Sequence, residues 1–293
     1  MELIVRISNW VGDVIMSLPA LQALERQGFK LHLYGKKWLK DLLRDTPYQL
    51  TGLEKSIIKS AKILRRDSAQ HMLLLTNSLS SALSGKLAGK NLIGYNTDGR
   101  SILLNHALKK PMSLHEVEYF WRLAAFCSEN LMPEKPFTQH LPDCIELPIN
   151  VKASKIEKPY WVLCCSATGK GEDGLPKVWP YWREFSAYLA SNNIRHVTCP
   201  GPGEEEVCRK AVPHAEILPD LNLYEYLSVM KAADKVVAND SGPMHMASAA
   251  GVPMLGIFGN TDPQRTRPWG GDIVQGECFT WPTLASVIKV SSC

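Results

Sequence analysis

Long hydrophobic runs are absent from this chain of 293 residues. No stretch approaches the roughly 20 uninterrupted apolar residues that a helix needs to cross a lipid bilayer. The first ten residues, MELIVRISNW, enter a predicted strand directly and do not form the apolar region and cleavage site of a signal peptide. We therefore expect a cytoplasmic protein that has no membrane-spanning helix.

Motifs for metal ions and cofactors are also missing. The eight cysteines include no C-x-x-C pair and no nearby His at metal-ligand spacing, which predicts reduced, mostly buried thiols and no metal site. No D-x-D, H-E-x-x-H or G-K-[ST] is present, so neither a metal-chelated nucleotide sugar nor a P-loop is indicated. Gly169-x-Gly171-x-x-Gly174 formally matches the dinucleotide fingerprint, but Pro176 and Pro180 prevent a helix from starting directly after it. We predict no metal, no NAD and no other cofactor.

Short apolar runs alternate with amphipathic segments along both halves of the chain, a pattern typical of an α/β fold with parallel sheets. The segment from Pro133 to Pro159 contains five prolines without sustained periodicity, so we place a linker near residues 145–158. The polar segment 95–111 is predicted to be a loop. The sequence thus predicts two Rossmann-like domains, residues 1–150 and 151–293, on either side of a cleft.

The positive charge is concentrated in the first half. Residues 1–150 contain 19 Lys and Arg against 14 Asp and Glu, a net charge of +5, whereas residues 151–293 contain 14 against 15, a net charge of −1. A predicted amphipathic helix over residues 54–66 has four cations on one side, which we call the basic face: Lys55, Lys59, Lys62 and Arg66. This face is either an ordinary solvated surface or a docking site for an anionic partner.

Residues 239–263, NDSGPMHMASAAGVPMLGIFGNTDP, contain a strand-to-helix turn. Ser241 is a candidate cap, and Pro243 suits the first helical turn. The N–H groups and positive dipole end of such a helix favour an anion, and His245 in the first turn can donate to a phosphate or sugar oxygen. The spacing by itself leaves two alternatives, a phosphate site and a plain helix cap with a buried His.

The pattern D-S-G-x-x-H-x-A-x-A-x-x-x-P, followed by F-G-x-T-D-P, resembles the C-terminal signature of glycosyltransferase family 9, the bacterial heptosyltransferases. S-N-W-V-G-D near the start, I-G-Y and H-E-V-E in the middle, and K-V-W-P extend the resemblance over nearly the whole chain. It implies a GT-B fold and metal-independent, inverting transfer of heptose from ADP-heptose to the inner core of lipopolysaccharide. W-V-G-D and M-S look closer to the enzymes that add the second heptose.

The N-terminal motif contains Gly12 and Asp13. An Asp after a Gly at a helix start is often only a cap. The resemblance implies instead that Asp13 is the catalytic base, because inverting transfer needs a carboxylate to take the proton of the attacking hydroxyl. It also implies that Gly12 and Arg100, in G-Y-N-x-x-G-R, lie near the acceptor, and that the basic face docks the acceptor or the membrane.

For the donor, the resemblance implies a set of contacts in the second half of the chain. Lys177, in K-V-W-P, is expected at the diphosphate, although it can also be a surface Lys before a helix. Glu205 is expected to contact the ribose, although it can also belong to an acidic first turn of a helix. Leu221 is expected to contact the adenine, although it can also pack in the core. The remaining expected donor contacts are Thr168, Asp240, Ser241, Gly242 and His245.

The expected partners follow from the same resemblance. They are an ADP-sugar donor, a phosphorylated lipopolysaccharide core acceptor and, peripherally, the inner face of the inner membrane. We expect a monomer and no nucleic-acid partner. Two alternatives stay open: a nucleotide-sugar epimerase of GT-B fold, and a non-catalytic nucleotide-sugar-binding protein.

Overall fold

The computed structural model describes residues 1–150 and 156–291, and the chain divides into two compact units, Met1–Pro142 and Asp143–Cys293. The division falls before the domain boundary predicted at residue 150. Ile145 and Leu147 are buried, and the Leu147 N–H donates to the Ala249 carbonyl at 3.0 Å. The start of the predicted linker therefore packs on the second unit, and its residues 151–155 lie outside the described residues.

Strands and helices alternate through the first unit. In chain order the elements are β1 (Glu2–Arg6), α1 (Val11–Gln27), β2 (Lys30–Gly35), α2 (Leu39–Leu42), β3 (Gln49–Gly52), α3 (Ile57–Arg65), β4 (His71–Leu74), α4 (Leu79–Leu87), β5 (Asn91–Tyr95), a 3₁₀ turn (Arg100–Leu103), β6 (His106–Leu108) and α5 (Glu116–Leu131).

The same alternation continues in the second unit. Its described elements are β7 (Trp161–Cys164), α6 (Trp182–Ser191), β8 (His196–Thr198), α7 (Glu205–Ala211), β9 (Glu216–Ile217), α8 (Leu223–Ala232), β10 (Lys235–Asn239), α9 (Gly242–Ala249), β11 (Met254–Phe258), α10 (Pro263–Thr266), β12 (Asp272–Gln275), a 3₁₀ turn (Glu277–Phe279) and α11 (Leu284–Ser291).

Each unit is built on one parallel sheet. The strand orders are β3-β2-β1-β4-β5-β6 and, read from the opposite edge, β9-β8-β7-β10-β11-β12. Both are the doubly wound order 3-2-1-4-5-6, in which ligands bind outside the carboxyl ends of the two strands where the order reverses. Those strands are β1 and β4 in the first unit and β7 and β10 in the second. The prediction of two Rossmann-like sheets is confirmed, and the topology marks one crevice in each unit.

The segment 95–111 is not entirely a loop, and this prediction was wrong. It contains β6, which pairs with β5 through Ile93 opposite His106 and Tyr95 opposite Leu108. Like β3 and β12, which the sequence also did not reveal, β6 lies at a sheet edge and has no more than four residues. The three strands, Q-L-T-G, H-A-L and D-I-V-Q, also lack the run of four or more apolar residues by which a buried strand is recognised.

Burial of α1 against the first sheet determines where its N-terminus lies. Val14, Leu18 and Leu21 recur at helical spacing and are at most 1 % exposed. Gly28 ends the helix with a φ of 104°, a left-handed conformation that glycine adopts without steric cost. The first turn of α1 therefore stands at the carboxyl end of β1.

The length and polarity of the helices bear on whether the chain can cross a bilayer. Nowhere in the described residues is a helix both long and apolar enough to do so.

Candidate functional site

The first crevice contains Asp13. It lies in the first turn of α1, is half-buried, and accepts a hydrogen bond from the Ser8 hydroxyl to its Oδ2 at 2.6 Å. A cavity of about 260 Å³ opens here, and its polar lining includes Asp13, Asn77, Glu116 and Tyr119. The crevice that the topology marks thus holds a carboxylate with a positioned neighbour, the arrangement that a general base requires.

Arg100 lies behind the wall of this cavity. Its side chain is fully buried and donates to the carbonyl of Tyr95 at 2.9 Å, to the carbonyl of Thr76 and to Asn77 Oδ1 at 3.4 Å. Burial lowers the pKa of the Arg100 guanidinium. Arg100 therefore supports the residues of the cavity wall. Its side chain is not exposed, as direct contact with an acceptor would need. Gly12 is buried in the first turn of α1, next to Asp13.

The basic face is solvent-exposed at all four positions. The helix is shorter than predicted: α3 begins at Ile57, so Lys55 precedes the N-cap Ser56, whose side chain accepts the Lys59 N–H. Lys55 lines a second cavity of the first unit, of about 270 Å³, together with Arg6 and Lys36.

These two cavities adjoin, because Asn9 and Ser78 line both of them. Arg6 donates from Nη2 to Asn9 Oδ1 at 2.9 Å, and burial lowers the pKa of Arg6 to about 10. The first unit therefore joins a cation-lined cavity to the one that contains Asp13.

In the second unit, Lys177 and Asp240 form an ion pair at the crevice. Lys177 Nζ lies 2.8 Å from Asp240 Oδ2, and the two side chains are 20 % and 4 % exposed. Both line a cavity of about 220 Å³. The other polar and charged residues of this lining are Lys170, Glu172, Thr261, Asp262, Arg265 and Thr266.

Asn239 explains how two distant motifs meet at this place. Its Oδ1 accepts from the Trp179 backbone N–H at 3.0 Å and from Trp182 Nε1 at 3.1 Å, and its Nδ2 donates to the Cys165 carbonyl at 2.9 Å. The K-V-W-P segment is thereby tied to the ends of β10 and β7. As a result Lys177, two residues before Trp179, reaches Asp240, the residue after Asn239.

The loop after β7 packs on the turn after β11. Glu172 N–H donates to the Asn260 carbonyl at 3.0 Å, and Asn260 Nδ2 donates to Asp173 Oδ1 at 2.7 Å. A Cβ at Gly171 would lie 2.2 Å from Asn260 Cγ, so glycine is required for this approach. The glycines that formally match a dinucleotide fingerprint therefore include one needed for loop packing.

The N-terminus of α9 has the predicted form but not the predicted cap. Ser241 occupies the N-cap position, yet its hydroxyl makes no capping hydrogen bond and instead donates to the Asn239 carbonyl at 3.3 Å. Ser241 and Gly242 are half-buried, and His245 in the first turn is 4 % exposed. The dipole end of α9 therefore lies directly after Asp240, although Ser241, Gly242 and His245 do not themselves line the cavity at Lys177.

Glu204, and not Glu205, points to the carboxyl end of β7. Glu204 Oε2 accepts from the Ser166 hydroxyl at 2.7 Å and from the Gly201 N–H at 3.1 Å. Glu205 is exposed and pairs with Arg209 at 2.9 Å along α7. Of the other predicted donor contacts, Thr168 is exposed and Leu221 is partly buried, and neither lines the cavity at Lys177.

Several lining residues were not identified from the sequence. Asn77 had a usable signal, because it is a polar residue three positions after the last residue of β4, at the carboxyl end of a parallel strand. Glu116 and Tyr119 belong to or follow H-E-V-E, and Thr261 and Asp262 belong to T-D-P, motifs quoted for the resemblance. Arg265 has no such signal, because its place depends on the turn into α10.

The side chains that most often bind metal ions do not cluster in the described part of the chain. Residues 1–150 and 156–291 contain no group of three or more His, Cys, Asp and Glu side chains that could hold a metal ion. Of the seven described cysteines, five are buried, two are exposed and all have free thiols. The prediction of mostly buried thiols is therefore confirmed for these seven.

Comparison with known proteins identifies the family. A lipooligosaccharide heptosyltransferase 2 of Haemophilus influenzae is 26 % identical over 298 residues, which cover 89 % of this chain and 84 % of the relative. Escherichia coli ADP-heptose LPS heptosyltransferase II superposes with a TM-score of 0.76 at 22 % identity, over 94 % of this chain and 90 % of that one. E. coli heptosyltransferase WaaC with ADP superposes with a TM-score of 0.78 at 21 % identity, over 100 % and 99 %.

These superpositions confirm the GT-B fold. The sequence profile of glycosyltransferase family 9 (heptosyltransferase) matches residues 57–283, which include Lys177 and Asp240 and begin after Asp13. The match covers well over half of the chain, and the chain therefore belongs to glycosyltransferase family 9 and is a glycosyltransferase.

Proposed function

We propose that this protein transfers heptose from ADP-heptose to the inner core of lipopolysaccharide, with inversion at the anomeric carbon. One observation carries the proposal. Each sheet has a crevice at its switch point, and each crevice contains a charged group that the reaction needs, a base for the acceptor hydroxyl or a cation for the leaving diphosphate. The first crevice contains the Asp13 carboxylate, and the second contains the Lys177 cation beside the N-terminus of α9. Membership of a glycosyltransferase family supports transfer over the epimerase alternative.

Asp13 is proposed as the base. As the acceptor hydroxyl oxygen forms its bond to the anomeric carbon of the donor, its proton passes to the Asp13 carboxylate. The Ser8 hydroxyl, 2.6 Å from Oδ2, orients this carboxylate. General-base catalysis of this type contributes about 10²- to 10⁴-fold to rate.

Lys177 and α9 are proposed to stabilise the leaving diphosphate. As the bond between the anomeric carbon and the phosphate oxygen breaks, negative charge grows on ADP, and a lysine and a helix dipole in a partly dry crevice stabilise it. Asp240 holds the ammonium group in place at 2.8 Å. Ser241, Gly242 and His245 supply donors from the first turn of α9.

For the nucleoside we propose Glu204 in place of Glu205. Its carboxylate stands at the carboxyl end of β7, on the same switch point as Asp240, whereas the Glu205 carboxylate is exposed on α7. Thr168 and Leu221 stay predictions as further donor contacts. Gly12 stays a prediction as an acceptor contact, and the expectation of a monomer without a nucleic-acid partner is likewise a prediction.

A direct assay tests the proposed function. The wild-type protein, incubated with ADP-heptose and a deacylated, heptose-deficient inner-core oligosaccharide, is expected to release ADP only when the acceptor is present. Mass spectrometry should show the acceptor heavier by one heptose, and NMR should show the inverted anomer. Turnover of donor without acceptor would support the epimerase alternative, and donor binding without ADP release would support the non-catalytic one. Either result contradicts the proposal.

The basic face is proposed to bind the phosphorylated acceptor at the inner surface of the inner membrane, on the cytoplasmic side. Four exposed cations, two on α3 and one beside each of its ends, give the charge that such a partner needs, and each contributes about 1 kcal/mol at an anionic surface. Changing all four to Glu is expected to raise the acceptor KM at least tenfold and to abolish sedimentation with phosphatidylglycerol vesicles. Donor KM should stay within twofold.

A control for net charge is available in the second unit. Changing the exposed cations Lys158, Arg183, Lys210 and Lys231 to Glu alters the total charge by the same amount. This variant is expected to keep more of the vesicle binding and an acceptor KM near that of the wild type. Equal vesicle binding and equal acceptor KM in the two variants would show that the basic face has no docking role of its own.

A further inference from the structure

Asn77 stands opposite the proposed base at the switch point of the first sheet. It follows β4, whose neighbour in the sheet is β1, the strand that leads into the helix of Asp13. Asn77 and Asp13 line the same cavity of about 260 Å³. A ligand that fills this cavity therefore meets both side chains.

The carboxamide of Asn77 has a defined orientation. Its Oδ1 lies 3.4 Å from Arg100 Nη2 and 2.9 Å from the Tyr119 hydroxyl. A guanidinium donates and never accepts, so the atom facing Arg100 must be the oxygen. Burial raises the pKa of Tyr119 to about 12, which keeps its hydroxyl protonated and donating at neutral pH. Arg100 therefore fixes the orientation of the amide, and the Tyr119 hydroxyl, which can donate, is compatible with it.

A third donor completes the environment of this oxygen. The Thr97 hydroxyl lies 3.3 Å from Asn77 Oδ1 and 3.1 Å from the Asn77 carbonyl. The oxygen of the amide thus faces donors of the cavity wall, of which the Tyr119 hydroxyl is the nearest. Among the described residues, Asn77 Nδ2 donates to no acceptor, although the side chain is half-buried. Its two N–H donors are the part of the amide that remains for a ligand.

We infer that Asn77 binds the acceptor sugar, with its Nδ2–H donors on an acceptor oxygen beside the hydroxyl that Asp13 deprotonates. This inference rests on the proposed role of Asp13 as base. A neutral donor suits the place, because the cavity already contains the carboxylates of Asp13 and Glu116, which accept but do not donate. Asn77 then recognises one oxygen of the acceptor through a hydrogen bond, whereas Arg100 and Tyr119 position the Asn77 amide.

The competing explanation is that Asn77 has only a structural role, in which Oδ1 accepts hydrogen bonds from Arg100 and Tyr119 within the cavity wall. Substitution by Asp separates the two roles, because Asp keeps an oxygen toward Arg100 and Tyr119 but has no N–H to offer. A role in the wall predicts that Asn77→Asp is tolerated. A role in binding predicts that it fails as Asn77→Ala does. Asn105→Asp is the matched control, since Asn105 Oδ1 also accepts in the first unit, from the Leu92 N–H at 2.9 Å, and does not line the cavity.

The inference is tested with the full-length protein and a deacylated inner-core oligosaccharide. Asn77→Asp is expected to lower kcat/KM for the acceptor about 30-fold or more, and Asn77→Ala about 10- to 100-fold, as for a lost hydrogen bond to a substrate hydroxyl. Calorimetric affinity for the acceptor without donor should fall in parallel. Donor KM and Tm should stay near the wild-type values. Tyr119→Phe, which removes one donor to Oδ1, should cost less, about 3- to 10-fold.

Two results would overturn the inference. In one, Asn77→Asp keeps the acceptor affinity and kcat/KM of the wild type and of Asn105→Asp, which assigns Asn77 to the wall. In the other, its loss falls on donor KM or on Tm and not on the acceptor. Failure of the proposed function gives a different result. Full activity of an Asp13→Asn variant would show that Asp13 is not the base, whatever the Asn77 variants do. The calorimetric affinity for the acceptor would still show whether Asn77 binds it.

Discussion

The Asp13→Asn variant is expected to lose about 10³-fold in kcat, since a carboxamide cannot accept the proton of the attacking hydroxyl. The substitution is nearly isosteric, and the amide oxygen can still accept from the Ser8 hydroxyl, which lies 2.6 Å from Oδ2 in the structure. The packing of α1 should therefore persist and Tm should change little. Donor KM should stay within about twofold, because the proposed donor contacts are all in the second unit. Acceptor-dependent ADP release under saturating donor and acceptor is the measurement.

Asp98→Asn provides the matched control for the loss of one negative charge. Asp98 is exposed, belongs to the same unit and has a φ of 51°, a left-handed conformation that Asn tolerates well. It is expected to keep wild-type kcat. Comparable kcat values for Asp13→Asn and Asp98→Asn would remove Asp13 as the base.

The Lys177→Met variant is expected to lose about 10²- to 10³-fold in kcat/KM for the donor. The leaving diphosphate then develops its charge without the cation that the second crevice supplies, an interaction of the type that contributes most when water is excluded. Stability should fall too. Removing one partner of an ion pair leaves Asp240, 4 % exposed, as a buried and uncompensated charge, which costs about 3 kcal/mol.

The double variant Lys177→Met/Asp240→Asn separates these two effects. It removes both charges, so most of the lost thermal stability is expected to return. Activity is expected to stay low, because the diphosphate still lacks its cation. Thermal unfolding and donor kinetics on the wild type, both single variants and the double variant complete the cycle. Recovery of kcat/KM in the double variant would show that Lys177 serves only to neutralise Asp240.

Much of the second crevice could be located from local sequence patterns. K-V-W-P and D-S-G-P-M-H are about 60 residues apart in the chain, yet each follows a predicted strand, and parallel strands bring their carboxyl ends to one edge. The roles of Lys177 and Asp240 were predicted from the resemblance of these motifs to glycosyltransferase family 9, since Lys177 by its local pattern can also be a surface lysine before a helix. Their contact depended on Asn239, which bonds to Trp179, Trp182 and Cys165 at once, a set of partners that no local pattern contains.

The sequence could not show at which residue α7 begins. Three consecutive glutamates at positions 204–206 fit an acidic first turn equally well. The structure starts α7 at Glu205, so Glu204 remains in the preceding turn and its carboxylate meets Ser166 and Gly201. One residue of helical rotation turns a side chain by about 100°, and that rotation decides which glutamate faces the crevice.

Alternation of strands and helices, the two-domain α/β class and the strand-to-helix turns at Asp13 and Asp240 were determined by the sequence itself, because periodicity and turn residues act over a few neighbours. Burial and orientation were decided by tertiary structure. Arg100, a cation in a polar segment, is fully buried because three acceptors converge on it. The Asn77 amide oxygen faces Arg100 and Tyr119, which leaves its N–H donors without an acceptor among the described residues. Contacts between such distant residues form only once the sheet has assembled, and so the surroundings of the proposed base could not be read from the chain alone.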